Sequence, residues 1–215
     1  MKTLIIICAV GLLTQQATRA QGTLTYLSNL EQPSAGSLAV GSDSLLATSF
    51  RTGTNASGYV LNTVQLGMAD ATGNPSGFTV MLYSLLFGAL TPGQSLGTLA
   101  GSLNPATGGS YTYTPDSNLT LFPNTFYYIV LTAGTAVANG AYDWSYVGVN
   151  SYNPNGGWVG FGGSLTSING SSWTGIGGTF PEFAITATAI PEPSPSWLLL
   201  LGSGIFIYVR RALHR

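Results

Sequence analysis

Hydrolysis through a serine or cysteine nucleophile needs a base beside it, and this sequence supplies almost none: the one histidine is His214, the one cysteine is Cys8, and no lysine follows Lys2. Ser-Lys and Schiff-base schemes are excluded on the same ground. Paired carboxylates remain, because glycoside hydrolysis needs just two carboxyl groups about 5–9 Å apart. Asp143 beside Trp144 and Glu182 beside Phe183 are the candidates, and each reads equally well as a solvated strand or turn residue. Oxygen ligands for calcium could come from Asp70, Asn74 or Asp43, but the spacing of a calcium loop is missing, so no metal is assigned. Gly156, Gly157, Gly160, Gly162 and Gly163 form no phosphate loop, since no lysine follows and no helix opens; they read as a bulged or looped β segment. No cofactor is expected.

Aromatic side chains give the one ligand hypothesis. Trp144, Trp158 and Trp173, with Tyr142, Tyr146 and Tyr152, fall in a short polar stretch, where exposed rings could stack on sugar faces. The competing reading sends Trp144 into the core and makes Trp158 and Trp173 staples for long loops. Ring exposure decides between them.

The elements that would position these residues follow a period of two. Tyr59 to Met68 places Val60, Val64, Leu66 and Met68 on one face, with Asn62 the exception. Gly77 to Leu86 puts Phe78, Val80 and Leu82 on one face and Met81, Tyr83 and Leu85 on the other. Thr125–Thr132, Ala141–Val149 and Phe183–Ala189 are rich in aromatic and small or β-branched residues. Turn chemistry marks Asp70 to Pro75, Thr91-Pro92-Gly93, Asn104 to Gly109 and Asn153 to Gly157. Residues Gln32 to Leu46 read either as a long loop or as an edge strand with a short helical turn. With no well-capped helix before Pro191, the expected fold is all-β: a two-sheet antiparallel sandwich, jelly-roll-like. It is flanked by an N-terminal signal peptide and a single short C-terminal hydrophobic helix.

Composition agrees with an exported β protein. Hydrophobic residues at 45% provide a core, while charged residues are only 6%, against roughly 25% in an average soluble protein. From Gln21 to Ile190, Arg51 stands alone against six carboxylates, a formal net charge of about −5. That surface repels phosphate backbones, so nucleic acid is excluded as a partner.

Both ends carry transport signals. Lys2, the apolar run Leu4–Leu13 and a small residue at Ala20 describe a secretory signal peptide over residues 1–20, cut between Ala20 and Gln21, with Ala17 the second choice. The run is too short to span roughly 30 Å of hydrocarbon. Its expected partners are the secretion translocon and signal peptidase. At the other end Pro191-Glu192-Pro193 precedes the apolar run Trp197–Val209, about 20 Å of helix, and then Arg210 and Arg211. The arginines favour the cytoplasmic side, leaving the body of the chain outside. This order resembles the PEP-CTERM sorting signal, here residues 191–215. The resemblance implies processing by exosortase, a membrane-embedded protease or transpeptidase of bacteria that commonly make exopolysaccharide. It implies recognition through Pro191, Glu192 and Pro193 and retention through Arg210 and Arg211. An ordinary single-pass tail anchor is the alternative.

The stretch between, residues 21–190, carries LGM, GFTVMLYS, PGQSLGTLAGS, LFPNTFYYIVLTA, YDWSY and FAITATA in that order. From Phe50 to Ala189 it is similar to the choice-of-anchor extracellular β domains of the R type, a resemblance that implies surface location and no established activity. The expected function is that of an exported, exosortase-processed surface or matrix protein that is not an enzyme. It would be transiently held in the membrane by its C-terminal helix, then placed at the cell surface or in an exopolysaccharide matrix. A polysaccharide-binding module using Trp144, Trp158 and Trp173 is the second reading, and a two-carboxylate glycosidase the third.

Overall fold

The five runs of alternating residues are all strands in the computed structural model, which describes residues 22–192. In chain order the strands begin with β1 (Leu24–Ser28), β2 (Gly36–Val40), β3 (Leu45–Arg51), β4 (Tyr59–Gly73) and β5 (Thr79–Leu86). They continue through β6 (Thr91–Ala100), β7 (Gly109–Pro115), β8 (Thr120–Leu121), β9 (Phe126–Thr132) and β10 (Gly140–Val147). The last are β11 (Asn153–Pro154), β12 (Val159–Ser167), β13 (Thr174–Ile176), β14 (Phe180–Pro181) and β15 (Phe183–Ala189). A three-residue 3-10 turn, Val137–Asn139, is the one helical element among the described residues. The segment Gln32–Leu46 supplies an edge strand, β2, which pairs with β10 alone, and no helical turn.

All pairings are antiparallel, in the order β11-β1-β15-β4-β7-β6-β5-β9-β3-β12-β13, with β10 lying against β4 and carrying β2 and β14. The sheet curls on itself. Its two parts meet between β6 and β7 through two register pairs, Leu99 with Pro115 and Ala100 with Thr114. Val64, Leu66 and Ile185 from one part and Phe50, Leu82 and Ile129 from the other then bury into one shared core. A smaller cluster of Ala47, Tyr128 and Val130 lies on the other side of β3 and β9, under Met81, Tyr83, Leu85, Leu165 and Trp173. This explains why Gly77–Leu86 is apolar on both faces: each face has its own core.

The centre of the molecule is β4, at 15 residues. One edge serves β15 over Tyr59–Leu66 and then β10 over Met68–Gly73, and the other serves β8 and β7. Its exception at Asn62 is a β-bulge. Thr63 pairs with Thr186 but Leu61 pairs with Ala187, so the strand gains a residue there. The bulge reverses the alternation, so the core receives Leu61 rather than Val60, and Val64, Leu66 and Met68 as expected.

Two expected turns are strand. Asp70 to Gly73 continues β4, because β10 pairs as far as Gly73, and the chain turns only at Gly73, where φ is +64°. Thr91-Pro92-Gly93 opens β6, and the turn lies earlier, at residues 87–90. Proline is tolerated at 92 because β6 pairs there with β5 alone, Leu85 to Pro92, and meets β7 only at Leu99 and Ala100.

Candidate functional site

Strand alternation decides where each sequence-predicted group points. Trp144 lies in β10 between buried neighbours and is itself fully buried; its Nε1 donates to the Glu182 carbonyl at 2.9 Å. Trp158 is also fully buried. It stacks on Phe50 with ring centroids 5.6 Å apart and planes at 4°, stacks on Tyr26 at 5.0 Å, and meets Tyr59 edge-on at 5.0 Å. The turn before it makes this possible: Trp158 N donates to the Asn155 carbonyl, Asn155 N donates to the Tyr26 carbonyl, and Gly156 and Gly157 both take positive φ. Trp173 is half-buried and covers the Ala47–Tyr128–Val130 cluster.

A ring must offer a face to stack on a sugar, and Trp144 and Trp158 offer none. Of the three rings named for a sugar platform, Trp144 and Trp158 belong to the core, and Trp173 keeps partial exposure. The tyrosines divide the same way. Tyr142 is fully buried, and its hydroxyl lies 2.9 Å from Asn104 Oδ1 and 3.2 Å from the Pro75 carbonyl. Tyr152 rests on Phe183 at 5.5 Å, and burial pushes its hydroxyl up to about 12.

The two carboxylates are buried, not solvated. Asp143 is 8% exposed and Glu182 7%. Asp143 Oδ1 accepts from Ser37 Oγ at 3.1 Å, while its Oδ2 has no partner among the described residues. Glu182 sits where β4 passes from β15 to β10. Its N–H donates to the Ser145 carbonyl at 2.8 Å and its carbonyl accepts from Gly67 N at 3.0 Å, so its backbone fills the fork between the strands. The side chain lies over Gly67, beside Leu30. Burial holds this carboxyl above its ordinary value, against a smaller opposing effect of a hydrogen bond from Ser34, and Oε1 has no partner among the described residues.

A raised carboxyl pKa means the folded state holds its proton more tightly than the unfolded chain. Glu182 therefore contributes a loss of stability that grows as pH rises through the window between its unfolded and folded values. Glu182→Gln is expected to be more stable than the parent by on the order of 1 kcal/mol at about pH 7. The two should converge at about pH 4 and below, in urea titrations at both pH values. A variant less stable at neutral pH would remove this account of the side chain.

The two carboxylates weighed above as calcium ligands, Asp43 and Asp70, latch turns. Asp43 Oδ1 accepts from Val137 N at 2.9 Å and Asp70 Oδ1 from Gly108 N at 2.8 Å. No group of three His, Cys, Asp or Glu side chains gathers among the described residues. Arg51, at the end of β3, holds its guanidinium 5.8 Å over the Phe126 ring. Of the sorting residues, Pro191 and Glu192 end the described chain, whereas Ala20, Gln21, Pro193, Arg210 and Arg211 lie outside the described residues.

Sequence reasoning missed the tip of the β5–β6 hairpin. Phe87 is 99% exposed, Leu90 61% and Leu86 49%. The signal was present: apolar residues run on past the strand into the turn, where polar residues are usual.

Fold and site together define an antiparallel all-β domain whose candidate reactive groups are enclosed and whose exposed aromatic rings are phenylalanines. No protein-family model and no curated protein matches the chain.

Proposed function

We propose that this chain is an exported cell-surface or extracellular-matrix protein, processed by an exosortase, whose β domain serves structure or interaction and not catalysis. The observation that carries the reading is a compact β body over Gly22–Ile190, with a core drawn from Tyr26 to Ala189, followed in sequence by Pro-Glu-Pro, an apolar run and an arginine-rich end. The segments on either side of that body are read as transport signals. Residues 1–20 engage the translocon and signal peptidase. Trp197–Val209 enters the membrane, Arg210 and Arg211 hold it from the cytoplasmic side, and exosortase acts at Pro191-Glu192-Pro193. The domain itself is a two-sheet sandwich of jelly-roll type, a reading supported by the larger core that both parts of the curled sheet share.

The alternatives lose ground on burial. A polysaccharide-binding module keeps Trp173 alone of its three rings. A glycosidase needs two carboxyl groups that reach a sugar, and Asp143 and Glu182 are enclosed. Intact-mass measurement of the protein from its native cells tests the proposal. The expected mass lacks residues 1–20 and the apolar run with its arginines. A mature mass that still contains Trp197 to Arg215 overturns it in favour of a permanent tail anchor.

A further inference from the structure

One end of the β body carries both the apolar hairpin tip and the point where the chain leaves. Ala189 pairs with Tyr59, and Ile190 N donates to the Gly58 carbonyl. Tyr59 pairs in turn with Leu121. From there residues 122–125 bridge to β9. Asn124 N donates to the Gly53 carbonyl and Thr52 N to the Thr125 carbonyl, and Phe126 pairs with Arg51. Tyr127 pairs with Ser84, close to the end of β5. The tip at residues 86–90 and the exit at Ile190 therefore lie at the same end, and Phe122, 67% exposed, lies between them.

The tip is built to hold its apolar side chains outward. Ala89 N donates to the Leu86 carbonyl at 3.2 Å, Gly88 has φ of +90° and Leu90 φ of +51°. The Tyr128 hydroxyl donates to the Leu90 carbonyl at 2.5 Å, fixing the turn to the sheet. Leucine at positive φ is unfavourable, and an exposed apolar turn is unusual on a soluble surface. No charged residue occurs between Asp70 and Asp116.

We propose that this tip, Leu86 and Phe87 with Leu90, is a lipid-contacting element that dips into the bilayer surface beside the point where the C-terminal segment enters. The inference rests on the reading that Trp197–Val209 is membrane-embedded. From Ile190 to Trp197 the chain extends at most about 25 Å, so an inserted segment keeps the exit end of the β body near the lipid. Phenylalanine and leucine suit the headgroup–acyl boundary. The tip alone binds weakly and reversibly, and the tether raises its effective concentration at the surface. The occupant is zwitterionic or neutral lipid, since the net-acidic body is repelled by an anionic surface.

The test uses residues 22–190, which form a compact unit of their own. This fragment lacks the tail, so its result stands apart from the fate of the sorting reading, which intact mass decides. It also contains no cysteine, so Ala89→Cys, exposed in the same turn and leaving Leu86, Phe87 and Leu90 in place, can carry a polarity-sensitive dye, with Ile168→Cys, 76% exposed beyond the far end of β12, as the control. Phosphatidylcholine vesicles in large excess, which offset the weak binding of the untethered tip, should shift the dye at 89 to an apolar signal and leave the dye at 168 unchanged. In co-sedimentation, Phe87→Asp should weaken partition roughly tenfold or more, while Ile168→Asp leaves it intact. A dye at 89 left unshifted by excess vesicles, or equal loss in both aspartate variants, overturns the proposal. So does Phe87-dependent self-association without vesicle binding, which would assign the tip to a second copy of the chain.

Discussion

Replacing Trp158 by alanine is expected to destabilise the β body by about 3–5 kcal/mol, the range for losing a large aromatic from a packed core. The ring is fully buried and touches Tyr26, Phe50 and Tyr59, which come from three different strands. The void would open between the strand that begins the domain, the start of β4 and the end of β3, so local collapse can fill little of it. Its Nε1 has no partner among the described residues, so Trp158→Phe should cost much less, removing that donor along with part of the volume. Urea denaturation of both variants checks this. A Trp158→Ala loss under about 1 kcal/mol would mean the box is not a keystone.

Gly53→Ala is expected to be similarly damaging, about 3 kcal/mol or more. A Cβ at Gly53 would collide with the Gly156 carbonyl oxygen and stand 2.7 Å from the Tyr59 hydroxyl. Neither neighbour can move cheaply: Gly156 belongs to the turn that seats Trp158, and Tyr59 is held by Trp158 and Tyr26 and accepts from Asn55 N at 3.2 Å. Gly175→Ala is the matched control, since nothing lies within 4 Å of its Cβ position, and it should change stability by less than about 0.5 kcal/mol. Equal unfolding midpoints for the two variants would contradict the close approach at Gly53.

Much of the sheet was legible because the strands alternate. Phe78, Val80 and Leu82 face the shared core as their spacing required, and Phe183–Ala189 is a strand with the expected bounds. What escaped was information held by partners. The bulge at Asn62 is set by the register of β15, so nothing in Tyr59–Met68 alone reveals that Leu61 replaces Val60 in the core. Asp70 to Gly73 has turn composition but stays extended because β10 offers it a ladder. The tryptophans were ambiguous for the same reason. Trp158 follows two glycines and looks like a loop residue, yet those glycines turn the ring inward. Asp143 and Glu182 gave no sign in sequence of the segment near Leu30 and Ser34 that helps enclose Glu182.

The neighbourhood of β15 has a mechanical consequence. β15 is flanked by β1 on one side and β4 on the other, and β1 runs antiparallel to it with Leu24 beside Ala187. A force drawing the first and last strands apart at their shared end would peel them one hydrogen-bonded pair at a time. A load borne through the carboxyl-terminal side alone instead pulls β15 lengthwise between two neighbours, and rows of bonds lying across that direction must give way together. A domain tethered from that side is thus strained along its strong axis.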